Sequence, residues 1–140
     1  MREILFRGIT RDLKIIVTGF YFYSEAENKH YITGDSKDYR FKKMEVIPET
    51  IGQFTGLTLD GIKLFEGDLF KLTFSDGSTV TKVIRYIQNK CQFCVANIND
   101  LENEQYWDIW SGITKEWLDK IVNKYEAIGN IHENSELLNA

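Results

Sequence analysis

From Asp68 onward the chain alternates with period two: Phe70, Leu72 and Phe74 fall on one side of an extended segment, Leu69, Lys71, Thr73 and Ser75 on the other. Ser75-Asp76-Gly77 follows as a turn, with Gly77 free to take the positive φ that a tight hairpin needs. Residues 79–88 read as the return strand and 91–98 as a third, so 69–98 is predicted to be a three-strand antiparallel meander. Upstream, residues 4–6 and 13–23 are rich in β-branched and aromatic side chains. Lys14-Ile15-Ile16-Val17-Thr18-Gly19-Phe20-Tyr21-Phe22-Tyr23 is the longest apolar run, which predicts a strand buried on both faces, and Gly19 within it predicts a bulge or bend. Residues 24–43 are polar and charged, with Tyr31-Ile32-Thr33 as a short strand and Gly34-Asp35-Ser36 as a turn, and are expected to be the variable stretch.

One helix is predicted near 114–124: Thr114 can cap it, Trp117, Leu118, Ile121 and Val122 share a face, and Lys120 and Lys124 complement the dipole at its end. Residues 125–131 return as a strand, and Asn134 or Ser135 can begin a terminal turn. No repeat, low-complexity stretch or linker divides the chain. The pattern therefore predicts a mainly β single domain over 1–140, built of antiparallel strands with one short α-helix.

Composition narrows the function classes more than the fold. With 140 residues and 43% hydrophobic content the chain can bury one core but hardly two. A net charge of -4 excludes a globally cationic protein held to nucleic acid by bulk charge. That charge is uneven, however: residues 1–43 hold nine Lys/Arg and six Asp/Glu, the remainder eight and fifteen. A basic first third joined to an acidic remainder keeps a charged partner in view, within the molecule or on a neighbouring copy. Arg7 and Arg11 interrupt the first apolar run before it reaches the length of an export signal or membrane span, and two cysteines are too few for a secreted disulfide scaffold. A cytoplasmic location is expected.

Candidate chemistry is thin. Cys91-Gln92-Phe93-Cys94 has the spacing of half a zinc site or a redox dithiol, but only His30 and His132 could complete the metal set, both remote in sequence. Buried or half-buried structural cysteines are expected instead. His132 is read as a hydrogen-bonded structural residue and His30 as exposed. The alternating acids of Asp100-Leu101-Glu102-Asn103-Glu104 lack the glycine of a calcium loop, and the glycines of 52–67 lack the Lys-Ser/Thr and helix of a phosphate loop. No catalytic residue, cofactor or metal is assigned.

Two long blocks carry a resemblance. Ile47-Pro48-Glu49-Thr50-Ile51-Gly52-Gln53-Phe54-Thr55-Gly56-Leu57, followed by Asp60-Gly61 and Phe65-Glu66-Gly67-Asp68-Leu69, forms the first. Tyr125-Glu126-Ala127-Ile128-Gly129-Asn130-Ile131-His132-Glu133-Asn134-Ser135-Glu136-Leu137-Leu138 forms the second, and Arg2-Glu3-Ile4-Leu5-Phe6-Arg7 opens the chain. In content, order and spacing these resemble the YopX family of phage and prophage proteins. The resemblance implies a mainly β protein of the bacterial host's cytoplasm with an SH3-like barrel region, and it brings no catalytic or ligand-binding residues. The blocks themselves read as structural: Gly52, Gly56, Gly61 and Gly67 are turn or close-approach positions, and Asp68 can accept hydrogen bonds from nearby backbone amides.

What remains is binding. Tyr21 and Tyr23, with Tyr106, Trp107 and Trp110, are candidates for a protein contact, either self-association as a homo-oligomer or engagement of a host or phage protein. The alternative is nucleic-acid binding through Arg7, Arg11, Arg40, Lys42 and Lys43, with Tyr39 and Phe41 as stacking partners.

Overall fold

The computed structural model describes residues 3–34, 42–59, 61–74, 76–88, 91–100 and 125–133. The helix predicted near 114–124, the aromatic segment of Tyr106, Trp107 and Trp110, the Tyr39-Arg40-Phe41 triplet and the terminal turn lie outside the described residues. The described strands form two antiparallel sheets, and the chain falls into two compact units, Met1–Gly56 and Leu57–Ala140. The mainly β expectation is met.

The first unit holds β1 (Phe6–Ile9), β2 (Ile16–Ser24), β3 (Lys29–Gly34), β4 (Lys43–Glu45) and the start of β5 (Gly52–Leu59), paired in the order β4-β3-β2-β1-β5. Thr18 pairs with Arg7 and Gly19 with Phe6, while Gly19 through Ser24 pair in unbroken register with Gly34 through Lys29. Gly19 is therefore not a bulge. A Cβ there would fall 2.0 Å from the Thr33 carbonyl oxygen, so the glycine exists because a neighbouring backbone comes too close for any side chain. Val17, Ile32 and Val46 make the core of one face, with Phe6, Ile15, Tyr21, Met44 and Ile51 around them. The other face of β2 is open, which corrects the expectation of a strand buried on both sides. The residues before Ile16 form a turn, with Leu13 exposed and Lys14 at a φ of 57°. Thr10 is fully buried there, and its hydroxyl accepts the Ile15 N–H at 3.2 Å.

After β4 the chain comes back onto the end of β1: Thr10 bridges Val46, Arg11 N–H donates to Glu45 O at 2.9 Å, and Ile47 N–H donates to Ile9 O at 2.9 Å. The sheet is thus curled, but among the described residues no closed barrel is formed, so the expected SH3-like barrel is not seen there. Pro48 opens a 3-10 turn at Pro48–Thr50, where Thr50 Oγ1 accepts the Ile9 N–H at 2.9 Å and donates to Ile47 O. The opening of the first sequence block is in this way tied to β1.

The second unit carries β6 (Ile62–Phe65), which pairs with the end of β5, and a four-strand sheet in the order β10-β7-β8-β9. Its strands are β7 (Asp68–Thr73), β8 (Thr79–Ile87), β9 (Gln92–Asn97) and β10 (Tyr125–Asn130). The predicted meander is present as β7-β8-β9. Both faces are covered: Leu64, Phe70, Ile84 and Val95 cluster on one, and Leu69, Val83, Ile87, Cys94 and Ala96 on the other. Three of the four block glycines take positive φ, Gly56 at 90°, Gly61 at 80° and Gly67 at 95°. Phe74 is exposed beyond the end of β7, beside the predicted turn, where Gly77 has a φ of 87°.

Candidate functional site

Alternation along β2 sends Thr18, Phe20 and Phe22 to the face opposite Val17. Phe20 is 64% exposed and Phe22 41%, although both stand in the most apolar run of the chain. Phe22 pairs with Tyr31 on β3, and their rings stack at 5.3 Å between centroids. Tyr31 is buried on this outer face by its neighbours: Phe22 covers one part of the ring and Lys43 Nζ lies 4.6 Å from its centroid.

Charged groups surround these rings in pairs. Tyr31 donates its hydroxyl proton to Glu27 Oε2, and Lys43 Nζ donates to Glu27 Oε1 at 3.3 Å. The Glu27 hydrogen bond pushes the Tyr31 hydroxyl up to about 12, and the same bond, with Lys43, holds the Glu27 carboxyl below its ordinary value. Glu45 receives Arg11 Nε at 3.0 Å and Lys29 Nζ at 3.9 Å. The exposed rings are thus flanked by charges that are paired within the chain.

The candidates for a protein contact in this segment, Tyr21 and Tyr23, stand one residue off this face. Tyr21 is half-buried on the core side, its ring 5.4 Å from Phe6 and its hydroxyl 2.6 Å from His30 Nδ1. Burial, with Tyr23 nearby, raises its pKa. Tyr23 is exposed, packs on His30 at 4.8 Å and donates to Asn28 Oδ1. His30, expected to be exposed, is half-buried between these two tyrosines. Period two identifies which side chains share a face, but only the packed core says which face is inward.

The basic set is less available than its sequence suggests. Arg11 is held by Glu45 and Lys43 by Glu27; both line an open depression of about 360 Å³ with Asp12, Met44 and Glu45. Arg7 sits half-buried in β1 and has interactions of its own, and Lys42 is exposed. A phosphate backbone would have to compete with carboxylates already in place. The cysteines separate as well: Cys94 is fully buried in β9, whereas Cys91 lies outside the strand, exposed, at a φ of 50°. Of the pair expected to be buried or half-buried, only Cys94 is. Among the described residues no group of three metal-ligating side chains occurs.

The two sequence blocks meet in the second unit. Asp68 pairs with Asn130 and Leu69 with Gly129, across a register shift between Ala127 and Gly129. Asp68 Oδ2 accepts the Phe65 N–H at 2.8 Å, as its place after the turn predicts. Gly67 N–H donates to Ile84 O at 2.8 Å, and Ile131 N–H to Gly67 O at 2.9 Å. A Cβ on Gly67 would stand 3.4 Å from His132 Nε2. Buried Asn130 accepts the His132 and Glu133 N–H groups, each at 2.9 Å. Glu66 accepts the Tyr86 N–H at 3.1 Å, and burial raises its pKa against the pull of Arg85 and that hydrogen bond.

A family model described as YopX protein matches residues 5–139, nearly the whole chain. The chain belongs to the YopX family. Its recognisable blocks are thereby accounted for as fold machinery: in this YopX chain they build the turn at Gly67, the β7–β10 pairing and the tie at Thr50, while the exposed aromatics lie outside them. No curated protein and no solved structure matches the chain. Among the described residues no helix is long and apolar enough to cross a membrane.

Proposed function

We propose that the chain is a non-enzymatic accessory protein of a phage or prophage, active in the cytoplasm of the bacterial host, that works by binding protein through the outer face of β2 and β3. The observation that carries this reading is the exposure of Phe20 and Phe22 side by side within a rim of ion pairs. Completing the burial of the two rings would return only part of the roughly 1.5–3 kcal/mol that fully burying a phenylalanine is worth, the larger part at Phe20. The paired rim favours protein over nucleic acid, because Arg11 and Lys43, two of the cations that would neutralise phosphate, are engaged by Glu45 and Glu27. A photo-crosslinking phenylalanine analogue at position 20, activated in the bacterial host, tests the reading. A protease-sensitive, nuclease-resistant adduct is expected; a nuclease-sensitive adduct, or none, overturns it.

A further inference from the structure

The geometry points to a second copy of this chain as the occupant of that face, set by a two-fold axis that crosses the strands between Phe20 and Phe22. This rests on the protein-binding reading above and adds the partner and the arrangement.

Strand register supplies the argument. One row across the face runs Phe20, Thr33, Lys43, and the next runs Phe22, Tyr31, Glu45. An axis lying in the contact plane, perpendicular to the strands and between these rows, lays β2 antiparallel over the β2 of the second copy. Each row then lies over the other row: Phe20 over the second copy's Phe22, Thr33 over its Tyr31, Lys43 over its Glu45, and each contact occurs twice. Such a patch is complementary to itself, as a two-fold dimer requires. The rows are about 6.6 Å apart along the strand, which gives room for rings of facing sheets to interdigitate. Turning the axis to lie along β2 instead would put β3 and β4 of one copy over the β1 side of the other and leave Lys43 and Glu45 without opposed charges. Within one copy Lys43 pairs with Glu27 and Glu45 with Arg11 and Lys29, all partly exposed, and each can add the second copy's opposed charge without giving up these partners.

Sedimentation equilibrium on the full chain tests this. The expected result is a mass that rises with concentration from 16.4 kDa towards twice that value. Phe20→Asp, at the most exposed ring, keeps the fold by circular dichroism and holds the mass at the single-chain value. Lys43→Glu and Glu45→Lys each weaken self-association by about tenfold, and mixing the two variants restores it, because the carboxylates at positions 43 and 45 of one then lie over the ammonium groups at positions 45 and 43 of the other. Association that ignores both Phe20→Asp and Phe22→Asp overturns the inference, as does a mixture of Lys43→Glu and Glu45→Lys chains that associates no better than either alone. A chain that stays monomeric at every concentration while the position-20 crosslink captures a different protein overturns the second copy and leaves the protein-binding reading standing. Monomer together with no protein adduct ends both.

Discussion

The two sheets obey the same antiparallel rules and differ in what covers them. The four-strand sheet of the second unit has an apolar cluster on each face, one around Phe70 and Ile84, the other around Leu69 and Val83. The sheet of the first unit has one cluster, around Ile32 and Val46, and presents Phe20 and Phe22 to solvent on the other side. Yet β2 is more uniformly apolar than β7 or β8. A continuous apolar run therefore reports that both faces are suited to contact, not that both contacts are made within the chain. Where the fold leaves one unmade, the excess apolarity is available to something else.

The contrast breaks first on the cores. Phe70→Ala should cost about 3–5 kcal/mol of unfolding free energy, whereas Phe20→Ala in the monomer should stay within about 0.5 kcal/mol. Urea melts at low concentration measure both, and equal losses would mean that the outer face of β2 is as buried as the second sheet. Next comes Gly19→Ala, which forces a Cβ against the Thr33 carbonyl and should cost about 1–3 kcal/mol, with the β2–β3 amide resonances shifted most. No loss at all would show that β2 and β3 are less closely apposed than described.

Smaller effects come from titration, one in each unit. Folding raises the Glu66 pKa by burial, so its protonated form is favoured in the native state. That contribution is complete below the ordinary glutamate value and is lost as pH rises through the raised one. Wild type should accordingly lose stability relative to Glu66→Gln as the pH climbs from about 4 towards neutrality, read from urea midpoints at a series of pH values. A constant difference would count against a buried carboxyl. In the first unit the Tyr31 hydroxyl, at about 12 against an ordinary 10.0, favours folding below the ordinary value and ceases to do so as pH rises through 12. Glu27→Gln should bring its ultraviolet titration back towards the ordinary range. A Tyr31 curve that does not move would place the shift elsewhere.

Much of the fold could be read from residue order. The period-two segment at 69–74, the Gly77 turn and the return strands are where alternation places them, because each depends on neighbours within a few residues. Asp68 accepting the Phe65 amide and Gly67 at positive φ follow from the local chemistry of Phe65-Glu66-Gly67-Asp68. The candidate face was legible only in part. Tyr21-Phe22-Tyr23 marked a segment that carries exposed rings, but the choice between Tyr21 and Phe22 as the outward residue depends on Ile32 and Val46, which lie 11 and 25 positions away from Tyr21. His30 shows the same limit: nothing near it in the chain tells that two tyrosines of the previous strand will enclose it.

By itself the sequence determined the family, the strand-rich class and the turns, since these rest on side-chain period, glycine placement and blocks readable end to end. Tertiary structure alone decided that the glycine at 19 is required by a carbonyl from the next strand, that Arg11 and Lys43 are already claimed by carboxylates, and that Phe20 and Phe22 look outward. Each of those outcomes depends on which residues distant in the chain come within a few ångströms, and strand periodicity, which is a property of one segment, does not encode that.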